Sequence, residues 1–421
     1  MSSPADLAGR GGLLLRRFAG SPLLPLAEKV AGGERLSFEE GVSLFRSPDF
    51  HGVAALANFD RERRHGNLGY YNVNRYLNPT NLCWVDCGLC AWARKPGVPG
   101  GYTMAVEEAV AEAGAGWHDG VTELHVVGGL HPSLPYSYYV DLMSALRGRF
   151  PGVHVKAWTM VELDWIARVG KKDVEETIVE LRDAGMDSCP GGGSEIFARR
   201  VRDIVCTNKI SGERWLEVAR LCHLHGVKTN VTMLYGHVET VAERVDHLVR
   251  IRELQDETGG FLGFIPLSFH PGETQFPDLP ATGGLDDLRV IALARLMLDN
   301  VDHVKAYWVQ IGEKLAPVAL HCGADDLVGT VTEETITQAA GAKTGYGLSR
   351  LQMEALIRGS GREPFERDAF YERVVRDPSG RVLRANRHDF APGPDADAEA
   401  EAEAPPAHVE PGAVDAALAS S

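Results

Sequence analysis

Cysteine is scarce in this 421-residue chain: seven, at positions 83, 87, 90, 189, 206, 222 and 322. So few cannot staple a chain of this length, which excludes a disulfide-built extracellular scaffold. Three of them fall between 83 and 90 while the others are scattered, which points to a reducing compartment and one local cluster with a chemical purpose. No run of about 18 apolar residues occurs, which excludes a helical membrane span. Bases are also short: 43 Lys and Arg stand against 58 Asp and Glu, a formal net charge of −15. That balance argues against a protein that coats nucleic acid or anionic lipid. Arg10, Arg16 and Arg17 around Leu13-Leu14-Leu15 imitate a transit peptide, but the apolar run is too short for a secretory signal. A short N-terminal extension on a cytoplasmic protein is expected.

What is present is a pattern of alternation. Short apolar runs at 74–81, 122–127, 153–158, 186–189, 227–234, 261–267, 304–309 and 325–328 read as strands. Amphipathic stretches near 105–116, 137–149, 173–184, 213–225, 240–256, 286–300, 312–321 and 349–359 read as helices. Strand-helix alternation of this kind builds a parallel sheet, and eight units fit a closed (β/α)8 TIM-type barrel in the α/β class. The expected organisation is a flexible extension over 1–25, a helical segment over 26–73 packed on the barrel, the barrel over 74–370, and a C-terminal segment over 371–390. Ser37-Phe-Glu-Glu40 has the form of a capping box opening one of the N-terminal helices. The tail 391–421 holds eleven Ala, five Pro, seven acids and no Lys or Arg, so it carries nearly half of the −15. It is expected to be disordered, with a short Ala/Glu helix as the competing reading.

Cys83-Trp-Val-Asp-Cys87-Gly-Leu-Cys90 follows the first barrel strand. A C-x3-C-x2-C run offers three thiolates, one fewer than a closed four-thiolate site needs. Bound to a [4Fe-4S] cluster, Cys83, Cys87 and Cys90 would leave one iron open, able to chelate the amino and carboxylate groups of S-adenosylmethionine (SAM). An electron from the cluster then cleaves the sulfonium to a 5′-deoxyadenosyl radical. The alternative is structural zinc, but no second cysteine or histidine pair closes a tetrahedron. The loop's place at the C-terminal end of a strand agrees with where barrel active sites form.

Further candidates fall at the same rim. Gly128 and Gly129 end the second strand, where a glycine pair lets backbone carbonyls approach a ligand. Gly191, Gly192 and Gly193 follow the fourth, with Glu195 able to accept from a ribose hydroxyl and Arg202 able to pair with a carboxylate. Trp92 stands just beyond the cysteines and supplies an aromatic wall that Leu89 does not. His131, His237 and His270 follow strands two, five and six, and Lys156 and Glu162 flank the third; these are candidate substrate ligands. Each also has a plain structural reading as a turn, cap or core residue.

With those residues in hand, the sequence resembles the radical SAM superfamily, and within it the aminofutalosine synthases of the futalosine route to menaquinone. The resemblance runs from about residue 28 to 367. It rests on Asn78-Pro-Thr-Asn-Leu-Cys83, Gly101-Tyr-Thr-Met104, Thr122 to Pro132, Val155-Lys-Ala-Trp-Thr159, Pro190-Gly-Gly-Gly-Ser-Glu-Ile-Phe197, Leu234-Tyr-Gly-His-Val-Glu239 and His303-Val-Lys-Ala-Tyr-Trp308. Ala198 and Gln338 depart from the residues expected there. The resemblance implies a transferase that consumes SAM as cosubstrate and acts on 3-[(1-carboxyvinyl)oxy]benzoate. In it the radical adds to the enol-ether double bond, the adduct rearranges and decarboxylates, and 6-amino-6-deoxyfutalosine results. A low-potential donor such as flavodoxin or ferredoxin would supply electrons. The rival readings are the cyclase of the same pathway, a deazaflavin synthase, and a non-catalytic zinc-binding scaffold.

Overall fold

The computed structural model describes residues 4–118, 120–341, 344–345, 347–386 and 388–389. The acidic tail and its expected disorder lie outside the described residues. Nine strands build the body: β1 (Leu68–Asn72), β2 (Asn74–Leu77), β3 (Glu123–Val126), β4 (His154–Ala157), β5 (Ser188–Cys189), β6 (Lys228–Tyr235), β7 (Phe261–Ser268), β8 (Asp326–Gly329) and β9 (Glu363–Glu366). Strands β2 to β7 pair in sequence order as one six-stranded parallel sheet, curled into a half-barrel with helices outside. Isolated bridges carry the rest of the ring: Phe264 to Val304, Lys305 to Asp326, and Arg75 to Thr332.

The strand expected over 304–309 thus shrinks to its first two residues. The Trp308 indole donates to the Gly329 carbonyl at 2.8 Å, and the Gln310 amide turns back to the Tyr307 carbonyl at 3.0 Å. The chain therefore leaves the sheet as the short helix Trp308–Ile311. The segment 26–73 is not helical throughout either. Gly66, at φ 58°, ends the helix Phe50–His65. β1 then pairs in parallel with β8 and β9 as a second sheet. The N-terminal extension, expected to be flexible, forms the helix Pro4–Arg17, which packs on the helices Leu24–Gly32 and Phe50–His65 with Leu14 and Phe18 buried. Ser37 and Glu40 do make the expected capping box.

The lower, N-terminal end of the barrel is filled by charged groups. Lys156 on β4 meets Glu123 on β3 at 2.6 Å, and Arg367 and Tyr371 hold Asp326 at 2.7 and 2.8 Å. Past this floor, β10 (Val375–Arg376), β11 (Val382–Ala385) and β12 (His388–Asp389) form a small antiparallel sheet. Asn386 ties that sheet to the barrel by donating to the Thr122 carbonyl at 2.8 Å. With one end closed, the C-terminal ends of the strands are left to make a site.

Candidate active site

The cysteine loop leaves β2 under tight backbone control. Cys83 N–H donates to the Arg94 carbonyl at 3.0 Å, Trp84 N–H to Leu130 at 2.7 Å, and Gly88 N–H to Val205 at 2.9 Å. The thiols of Cys83, Cys87 and Cys90 are all free. Leu130 N–H reaches the Cys83 sulfur at 3.4 Å and Ala93 N–H reaches that of Cys90 at 3.4 Å. Burial pushes Cys87 up to about 12 and raises Cys83, against the pull of Lys209. A bound metal reverses that preference outright, since coordinated thiols lose their protons. Three clustered thiols with N–H donors already aimed at two of them fit a metal cluster.

The two glycine turns have specific geometric reasons. A Cβ on Gly129 would lie 2.2 Å from the Leu82 carbonyl oxygen, so only glycine lets the end of β3 meet the cysteine loop. A Cβ on Gly191 would lie 2.6 Å from the Val231 Cα, so the turn after β5 needs glycine to lie on β6. Glu162 supports the first turn: its carboxylate accepts Gly128 N–H at 2.8 Å and caps its own helix, Met160–Gly170, through Thr159 N–H at 2.7 Å. Burial pushes the Glu162 carboxyl up to about 7. At the second turn, burial works against the charge of Glu195, but Lys209 at 2.7 Å outweighs it and holds the carboxyl below its usual range.

A cavity of about 360 Å³ opens beneath the cysteines. It brings together Cys83, Cys87, Cys90, Trp92, Gly128 and Gly129 with Glu162, Glu195 and His270. The other four candidates are elsewhere. Lys156 is part of the barrel floor, paired with Glu123, because its place at the middle of β4 points it into the lower interior. Arg202 is buried with its guanidinium on the carbonyls of Ser194 at 2.7 Å and Ile210 at 3.0 Å, so it shapes the loop after β5. His131 accepts from Ser133 and Leu134 N–H at 3.1 and 3.0 Å, closing a turn. His237 is locked between the Leu234 carbonyl at 2.9 Å and Glu239 at 3.0 Å.

Several lining residues were not anticipated. Tyr76 stacks on His125 at 4.4 Å, and Tyr307, Asn230, Gln310 and Glu334 line the walls. Asn230 sits two residues before Thr232 and four before Leu234, and the alternation of β6 was the signal that all three face inward. Gln310 gave no signal, because its helix begins where a strand was expected. Among the described residues lining the cavity, Lys209 is the one Lys or Arg, and it is committed to Glu195. Burial pushes His125 down to about 3 and raises Glu334, so the interior is neutral to acidic.

Known proteins show the same combination. Residues 77–251 match the family model described as the radical SAM superfamily, and residues 258–378 match the one described as the CofH/MqnC C-terminal region. Over 356 residues the chain is 46% identical to the aminodeoxyfutalosine synthase of Thermus thermophilus, a match covering 84% of this chain and 96% of that one. It is 41% identical over 366 residues to the aminodeoxyfutalosine synthase of Streptomyces coelicolor, covering 84% and 94%. Among solved structures, the FeFe-hydrogenase maturase HydG from Carboxydothermus hydrogenoformans superposes with a TM-score of 0.64 at 16% identity, covering 88% of this chain and 87% of that one. That last likeness speaks for the fold alone. No helix among the described residues is long and apolar enough to cross a membrane. The cysteine loop, the glycine turns and these matches agree, and the chain belongs to the aminodeoxyfutalosine synthase family of radical SAM enzymes.

Proposed function

We propose that this enzyme combines 3-[(1-carboxyvinyl)oxy]benzoate with the 5′-deoxyadenosyl group of SAM to give 6-amino-6-deoxyfutalosine, with rearrangement onto the aromatic ring and loss of one carboxylate. When bound, the [4Fe-4S] cluster supplies the electron that cleaves SAM to the 5′-deoxyadenosyl radical. Cys83, Cys87 and Cys90 would hold that cluster. The observation that carries the reading is the opening of a three-thiol loop directly onto a walled cavity, in a chain 46% identical to a relative named for this activity.

The chain's own residues set binding and seclusion. Gly128 and Gly129 present backbone to the methionine end of SAM, with Glu162 fixing Gly128 in place. Glu195, kept ionised by Lys209, accepts from a ribose hydroxyl. Trp92 and the Tyr76/His125 stack wall the cavity with rings, keeping a reactive radical from water. A low-potential flavodoxin or ferredoxin is the proposed electron donor.

The test is an anaerobic assay of the reconstituted enzyme with SAM, reductant and the enolpyruvyl benzoate, read by mass spectrometry. The expected product carries the deoxyadenosyl group covalently. Free 5′-deoxyadenosine in stoichiometric yield would overturn the reading in favour of hydrogen abstraction.

A further inference from the structure

Among the described residues, three buried polar atoms on the cavity have no hydrogen-bond partner: Asn230 Oδ1, His270 Nε2 and Gln310 Oε1. Native folds satisfy nearly all such atoms, because an unmet one keeps its full desolvation cost. Neighbouring polar groups obey that rule. Ser194 Oγ and Thr232 Oγ1 lie 2.7 Å apart, and Thr232 donates to the Gly191 carbonyl at 2.9 Å.

The three orphans come from adjacent positions round the ring. Asn230 lies on β6, His270 follows β7, and Gln310 follows the segment that bridges β7 through Val304 and Phe264. The cysteines follow β2 and the glycine pair follows β3, which places the trio on the opposite wall. His270 and Gln310 also fall within 258–378, outside the stretch matched to the radical SAM superfamily. The trio therefore faces the cluster side across the cavity, and two of its three members also lie outside the radical SAM match.

The chemistry of the wall narrows the ligand. Asn and Gln amides can turn either donor or acceptor toward a guest. The His270 ring is held by a hydrogen bond to the Gln310 backbone. Among the described residues, an anion entering here finds no free Lys or Arg, since Lys209 is spent on Glu195. Glu162, Glu195 and Glu334 line the cavity and Asp287 acts on His270, and none can offset a negative guest. Burial lowers the His270 pKa and favours a neutral ring in the free cavity, so proton uptake by His270 together with the guest is the remaining source of positive charge among the described residues.

We propose that Asn230, His270 and Gln310 form the subsite for one carboxylate of the substrate, with His270 entering the complex as imidazolium. This rests on the aryl dicarboxylate proposed above. A residue kept for a ligand weakens the empty fold, so Asn230→Leu and Gln310→Met should melt no lower than wild type while binding suffers.

The experiment is calorimetric binding of 3-[(1-carboxyvinyl)oxy]benzoate to anaerobic holoenzyme with SAM and without reductant, at pH 6 to 8, beside thermal melts without substrate. Losing a hydrogen bond to a charged group should weaken binding about ten- to a hundredfold in each variant, with SAM affinity unchanged. Wild-type binding should weaken as pH rises, and His270→Gln should flatten that slope, leaving only what Glu162, Glu195, Glu334 and Asp287 contribute. Binding within about twofold of wild type, a lower melting temperature in the variants, or a slope that survives His270→Gln would each overturn the subsite with the substrate reading intact. A wild-type holoenzyme that fails to bind the compound removes both.

Discussion

Two stretches of this chain, His154-Val-Lys-Ala-Trp158 and His303-Val-Lys-Ala-Tyr307, share one local design and end with different jobs. In the first, Arg147 donates to the carbonyls of Val153 and Gly185 at 2.9 and 3.0 Å and pairs with Asp187, which accepts Val155 N–H at 2.7 Å. In the second, Arg295 donates to the carbonyls of Asp302 and Gly323 at 2.8 Å each and pairs with Asp325, which accepts Val304 N–H at 2.8 Å. Gly185 and Gly323 take φ 126° and 112°, and a Cβ on either would press on the arginine stem at 2.7 or 2.9 Å. The surroundings differ. Side chains of the first ion pair are 30% and 34% exposed, those of the second 0%. Lys156 finds Glu123 at 2.6 Å, whereas Lys305 stands 3.9 Å from an Asp326 already held by Arg367 and Tyr371. Trp158 closes into the core, while Tyr307 lines the cavity. Local geometry repeats, and solvent and partners decide what each copy is worth.

The largest test of that view separates the two arginines. Arg295→Ala leaves Asp325 charged and buried without its arginine, with only His65 and His303 beside it as ion-pair partners among the described residues, at a cost of about 3–5 kcal/mol. Arg147→Ala removes a half-exposed pair and should cost about 1 kcal/mol. Denaturant unfolding of both variants should show that ordering, and equal losses would mean that burial does not set the value of the clamp.

This repeat also shows what a sequence can and cannot disclose. The strands β2 to β8 were legible from apolar runs, although β1 lay in a stretch read as helical and 304–309 leaves the sheet early, and the cysteine triplet was legible from spacing. Which polar residue faces the site was not. Lys156 was expected at the rim, yet it sits level with His125 of the neighbouring strand and reaches back diagonally to Glu123, a pairing that exists only once β3 and β4 lie side by side. Glu162 follows Thr159 as a T-x-x-E capping signature, so its helix could have been read from the chain. Arg202 satisfies carbonyls of a loop whose path exists only once folded. The orphan atoms of Asn230 and Gln310 are a property of packing, and no spacing rule announces a missing partner.

A middle-sized effect separates the two lysines. Lys156→Met strands Glu123, whose carboxyl Lys156 and Arg367 hold well below its usual range against the cost of burial. The loss should be on the order of 3 kcal/mol at pH 7. Lys305→Met strands nothing, since Asp326 keeps Arg367 and Tyr371. Thermal melts at pH 7 should therefore drop clearly for the first and hold for the second. Matched drops would show that Lys305 has a partner as strong as Glu123.

The smallest effect lies in the pH dependence of Lys305→Met, and its sign follows from burial. Burial and the neighbouring Arg367 push the Lys305 amine down to about 7 from its usual value of 10.5. Between those values the unfolded chain holds a proton that the folded one has released, so the stability of the wild type rises with pH relative to the variant. Below pH 7 both states are charged, and the folded protein carries the whole penalty of a desolvated ammonium. Lys305→Met should therefore be the more stable protein at pH 6.5, and its advantage should shrink by roughly 2 kcal/mol on going to pH 9. Burial lowers the Lys156 amine too, but the Glu123 carboxylate at 2.6 Å opposes that shift, so Lys156→Met should show a weaker pH dependence than Lys305→Met. If stability differences between the wild type and Lys305→Met stay flat from pH 6.5 to 9, the ammonium is solvated or paired, and the two copies of the design are equals after all.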